Sequence, residues 1–97
     1  MTFEEFKNSL NDSHPPTDIA AELRALWFDA QDDWDSAHEI AQNKSGANGS
    51  LVHAYLHRKE GDQGNADYWY RRAGSTSPSQ SLKQEWESLV TRFLAKS

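Results

Sequence analysis

Between Leu51 and Pro78 the chain reads LVHAYLHRKEGDQGNADYWYRRAGSTSP, two runs with apolar residues at helical spacing, divided by Gly61-Asp62. Gly61 supplies the left-handed conformation that ends one helix, and Asp62 supplies a side-chain oxygen to start the next. Val52, Tyr55 and Leu56 fall on the inner face of the first run, and Ala66, Trp69, Tyr70 and Ala73 on that of the second. Small residues at Ala54 and Ala66 let two antiparallel helices cross closely. A chain that contains this hairpin is committed to helix-on-helix packing.

The flanking sequence extends the same architecture. Thr2 with Glu5 has the form of a capping box, and Phe3, Phe6 and Leu10 repeat at helical spacing after it. His14-Pro15-Pro16 forces extended backbone and makes a corner. From Ile19, the set Ile19, Leu23, Leu26, Trp27 and Ala30 draws one stripe along a second helix. Asp32-Asp33 breaks it and opens a third, with Trp34, Ala37, Ile40 and Ala41 inward. Residues 43–49 read as a loop, with Ser50 as the N-cap of helix four. Ser77-Pro78-Ser79-Gln80 reads as a capped start for helix six, whose stripe is Leu82, Trp86, Leu89, Val90, Phe93 and Leu94. That stripe is expected to lie across the preceding helix pair.

The expected product is one all-α domain over 1–97 with five or six helices. It comprises an N-terminal helix and proline corner (1–17), a first helix pair (18–45), a second pair (50–74) and a capping helix (77–97). No run shows the alternation of a half-buried strand.

Ninety-seven residues suit a single core, and four Trp, four Phe and three Tyr provide large buried areas per side chain. The absence of Cys excludes disulfides and thiolate metal sites, as expected of a reducing, cytoplasmic setting. No apolar run approaches a membrane span, and the acidic, amphipathic N-terminus is unlike a secretory leader. A formal charge of −5 opposes phosphate-backbone binding, so neither nucleic acid nor membrane is an expected partner.

Laying Ala25 on Ala54 at an offset of 29 residues also aligns Asp33 with Asp62, Ala37 with Ala66 and Ile40 with Trp69. Each copy is a helix, an acidic turn and a helix. Such units need neighbours, because one hairpin cannot bury its own apolar face. In the second copy Ala54, Ala66, Tyr70, Ala73 and Pro78, with Gly61-Asp62 at the turn, resemble a tetratricopeptide (TPR) or Sel1-like repeat. Asn65 to Gly74 is especially similar to the second helix of a Sel1-like unit. His53 and His57 stand where that family carries a leucine and an aromatic. The runs HAYLHRKEGD and YWYRRAG are also similar to small bacterial proteins. The resemblance implies a TPR-like scaffold that binds an unknown protein or peptide.

Under that reading no catalytic residue and no cofactor is expected, and the chain is a monomer or weak homo-oligomer. Tyr55, Tyr68, Arg71 and Arg72 are the partner-facing candidates, with His53 and His57 lining the groove. Tyr55 is thus read twice, inward and facing a partner. Tyr68-Trp69-Tyr70 cannot all face one core, since consecutive helical residues point about 100° apart. A second reading, from another class, is a metal- or small-molecule-binding protein or enzyme. His53 and His57 project from one helix face, and His38 is a third ligand if helix three lies alongside. A third is self-association through helix six, burying Trp86 and Phe93 between chains. Asp29, Asp32, Asp33 and Asp35 form an acidic corner, and Arg58, Lys59, Arg71 and Arg72 a basic one; their mutual pairing is preferred over a charged peptide groove.

Overall fold

The computed structural model describes residues 1–96, which form six α-helices and no strand. These are α1 (Phe3–Ser9), α2 (Ala21–Ala30), α3 (Trp34–Asn43), α4 (Ala47–Lys59), α5 (Gln63–Arg72) and α6 (Leu82–Ala95). No helix among the described residues is long and apolar enough to cross a membrane.

The 29-residue offset is a structural repeat. Helices α3 and α5 match in length and register, since Trp34–Asn43 and Gln63–Arg72 differ by 29 at both ends. Both begin at an aspartate N-cap. Asp33 accepts from the Ser36 amide and Asp62 from the Asn65 amide, with φ/ψ of −105°/72° and −97°/76°. Both turns close by the same backbone bond, from Asp33 N–H to the Phe28 carbonyl and from Asp62 N–H to the His57 carbonyl. Each turn needs one residue at positive φ, and the copies fill it differently, with Asp32 at 61° and Gly61 at 92°. Ala25, Ala54, Ala37 and Ala66 are all fully buried, as close antiparallel crossings require.

Helices α2/α3 and α4/α5 are therefore two antiparallel hairpins, joined side by side through α3 and α4. Helix α6 departs from the expected position across the second pair. It lies over α2 and α4, one helix from each hairpin, and α1 packs along its flank. The Trp86 indole fixes this placement by donating from Nε1 to the Leu26 carbonyl on α2 at 3.0 Å. Phe3 and Phe6 of α1 meet Trp86 edge-on and tilted, with centroids 6.3 and 6.1 Å away. Trp86 and Phe93 are buried within the chain, which removes them as the surface of self-association. One core of aromatic and aliphatic side chains runs through all six helices.

Two helix starts differ from the sequence reading. Helix α4 begins at Ala47, not after Ser50: Gly46 turns the chain at φ 94°, and Gly49 passes so close to the Lys44 carbonyl that a Cβ would lie 2.1 Å from its oxygen. Helix α6 is capped by Ser81 with Gln84, one turn beyond Ser77 with Gln80. Both pairs have capping-box spacing. The Gln80 carbonyl is kept out of the helix, where it accepts from Arg58 of α4.

Candidate functional site

His38 of α3 and His53 and His57 of α4 come together where the two hairpins meet, and one imidazole nitrogen from each lies within 4.8 Å of the other two. The α3/α4 pairing does this, because α4 presents His53 and His57 one turn apart on the face that α3 covers. His38 Nε2 and His53 Nε2 are 3.0 Å apart, so one ring donates and the other accepts. Ring centroids are 4.6 Å apart for His38/His53, 5.1 Å for His38/His57 and 4.8 Å for His53/His57.

Aromatic walls hold the rings. Trp34, one turn before His38, stacks on it at 4.7 Å and 9°, and donates its own Nε1–H to the Leu56 carbonyl at 2.9 Å. Trp69 of α5 stacks on His53 at 4.0 Å and 16°. Arg72 lies over the Trp69 ring with its guanidinium carbon 5.4 Å from the centroid. His57 Nδ1 is 2.6 Å from Glu60 Oε2. A carboxylate only accepts, so His57 carries its proton on Nδ1 and Nε2 is left as the free lone pair in the neutral ring.

His53 and His57 are buried and His38 is half-buried. Burial, with His38 and His57 alongside, pushes the His53 pKa down to about 4. Burial and the neighbouring His57 also lower that of His38. Three imidazoles this close cannot all be cationic without strong repulsion, so His38 and His53 are held as neutral nitrogen bases, the form in which imidazole binds a metal.

The donor set fits a divalent transition ion. Tetrahedral zinc with nitrogen ligands at ~2.0–2.1 Å requires donors separated by ~3.3 Å. The 3.0 Å His38–His53 spacing is near that value; binding through both Nε2 atoms requires the shared proton to move to the donor ring's Nδ1, and the third nitrogen to shift by on the order of 1 Å. Three imidazoles leave a fourth coordination position, and Glu60 on His57 Nδ1 supplies the outer carboxylate that commonly orients a metal-bound histidine.

Two buried carboxylates flank the cluster on other faces of α4. Asp29 accepts from Tyr55 Oη and from Lys59 Nζ, each at 2.8 Å. Glu85 of α6 accepts from Tyr70 Oη and from Arg58, each at 2.6 Å. Burial and these carboxylates raise both tyrosine pKa values far above the ordinary range, so the phenols stay protonated donors. Every side-chain polar atom fully shut off from solvent among the described residues has a hydrogen-bond partner.

Tyr55, expected to face a partner, is instead in the core with 2 % exposure, because its hydroxyl is needed by Asp29. Tyr68 is 45 % exposed, and Arg72 donates to its hydroxyl at 3.4 Å; Arg71 and Arg72 are exposed. Within the aromatic run, Tyr70 is buried, Trp69 is half-buried against His53 and Tyr68 faces outward. The charged corners meet in part: Lys59 pairs with Asp29, whereas Arg58 turns to Glu85 and Arg72 to the aromatics. Trp34 and Trp69 are inner-face residues and cation–π candidates for Arg71 or Arg72 in the sequence reading, which joins neither them nor Glu60 to the histidines. Two of these three carry a readable signal, since Trp34 is four residues before His38 and Glu60 three after His57. Trp69 reaches His53 only through the α4/α5 crossing.

Comparison with protein-family models, curated proteins and solved structures found no match for this chain.

Proposed function

We propose that the protein binds a divalent transition metal of the zinc class through His38, His53 and His57. The observation that carries this reading is the convergence of three imidazole nitrogens within 4.8 Å from two helices. The low His38 and His53 pKa values and the Glu60 carboxylate on His57 support it further. Neutral nitrogen donors favour zinc, nickel or copper over magnesium or calcium, which take oxygen ligands. The ion would clamp α3 to α4, and its remaining coordination position would accept water or an exchangeable ligand.

Metal-stripped protein titrated with Co²⁺ tests the reading. The expected result is the visible absorption of a four-coordinate Co²⁺–imidazole site, saturating at one equivalent, displaced by Zn²⁺ and abolished in His53→Ala. Absence of a stoichiometric spectrum in folded wild type, or an unchanged one in His53→Ala, overturns it.

A second reading, a TPR-like peptide-binding scaffold, is favoured by exposed Tyr68 beside Arg71 and Arg72. Its partner surface would be the outer face of α5. Partners recovered from the native host by the wild type and lost with Arg71→Ala/Arg72→Ala would support it, and an identical set with both would remove it.

A further inference from the structure

On the other side of α4 from the histidines, a cavity of about 330 Å³ opens between the end of α1, α2, α4 and the start of α6. Tyr55 and Lys59 lie on this side because they are two residues, or about 200°, from His53 and His57. Leu10, Ala30, Leu82 and Trp86 give it apolar walls, and Asp29, Tyr55, Lys59 and Lys83 supply the polar groups. We infer that this groove is a second binding site, for a small amphipathic monoanion with a carboxylate or sulfonate head and a flat apolar body.

The sign of the head follows from charge accounting within the groove. Asp29 would attract a cation, but each of its oxygens is already engaged, one by Tyr55 and the other by Lys59 at ion-pair distance. The Asp29–Lys59 pair cancels. Lys83 has no ion-pair partner among the described residues, so the lining keeps one uncompensated positive charge. Lys83 is also the second residue of α6, where the helix macrodipole disfavours a cation. A lysine placed there works against its own helix while serving the groove.

The body of the ligand follows from the walls. The Trp86 indole is held by its bond to the Leu26 carbonyl and by Phe3 and Phe6, so it forms a fixed aromatic part of the wall. The volume is at the lower end of small-molecule sites, which suits a bicyclic aromatic or medium-chain acid.

The test titrates naphthoate, naphthylmethylamine and naphthalenemethanol into isotopically labelled protein, with amide and indole resonances as readout. Lys83→Glu is the informative variant, because a carboxylate in the first turn of α6 favours the helix and the fold survives. The expected result is saturable naphthoate binding that moves Ala30, Lys59, Lys83 and the Trp86 indole. The alcohol should bind more weakly, the amine should not bind, and affinity in Lys83→Glu should fall at least about tenfold. No saturation at millimolar naphthoate, shifts centred elsewhere, equal binding of the amine, or unchanged affinity in Lys83→Glu each overturns the inference.

Discussion

Replacing Glu85 by alanine should cost as much stability as truncating a large apolar core residue of α6. The residue is 4 % exposed, and its carboxylate takes two hydrogen bonds of 2.6 Å, from the buried Tyr70 hydroxyl and from Arg58. Glu85→Ala leaves that hydroxyl without an acceptor, at about 1–3 kcal/mol. Arg58 loses its counter-charge but keeps the Gln80 carbonyl and partial solvent contact, its side chain being 17 % exposed, so its share belongs below the ~3–5 kcal/mol of a fully buried broken pair. The sum is about 3–4 kcal/mol. For a domain of this size that corresponds to a melting temperature lower by roughly 12–32 °C.

The mechanism, not only the size, is testable by a double-mutant cycle in urea. Tyr70→Phe in the wild type breaks a charge-assisted bond and should cost about 1.5–2 kcal/mol. In the Glu85→Ala background the same change removes a stranded hydroxyl, so it should be neutral or stabilising. The expected coupling is therefore above about 1 kcal/mol. Additivity within about 0.5 kcal/mol would refute the claim that Glu85 acts through Tyr70.

The folding stability of metal-free protein should fall as the pH is lowered from 6.5 towards 4. The depressed His53 pKa means the unfolded chain binds the extra proton in that window, so the contribution is complete above the unfolded value and gone below about 4. Urea midpoints across this range should show a steeper decline in wild type than in His53→Gln, and parallel profiles would contradict it. Zinc at a hundredfold excess over its dissociation constant should raise wild-type stability by about 2.7 kcal/mol and leave His53→Ala unmoved, as read by thermal melts. Gly49→Ala should destabilise by more than about 2 kcal/mol, because its Cβ would collide with the Lys44 carbonyl. Gly64→Ala, in open space on α5, should stabilise by about 0.4–1 kcal/mol, and chemical denaturation of the two variants would separate local clash from general helix propensity.

Much of the molecule was legible because its decisive signals are local. Asp33 and Asp62 cap α3 and α5 with their own side chains, and Thr2–Glu5 close a capping box without help from the rest of the chain. The six helices, the 29-residue repeat and the inward alanines follow from such short-range chemistry and from apolar periodicity. Where two local solutions competed, the sequence was mute. Ser77–Gln80 and Ser81–Gln84 are equivalent capping boxes on paper, and the contacts of Gln80 outside its own segment, its carbonyl to Arg58 and its side-chain amide to Ser88, go with the second. The loop-like composition before Ser50 hid the first turn of α4, which depends on Gly49 passing a distant backbone oxygen.

The site divides in the same way. Helical spacing alone put His53 beside His57 and made Tyr68 the outward member of its aromatic run. His38 joins them, Trp69 stacks on His53 and Tyr55 turns inward to Asp29 because hairpins meet across α4, a matter of packing between segments far apart in the chain. Periodicity determines which face a residue occupies, since that is a property of one helix. What the face touches, and hence whether a histidine is a surface group or a neutral base with a depressed pKa, is decided only when desolvation and neighbours are imposed by the assembled fold.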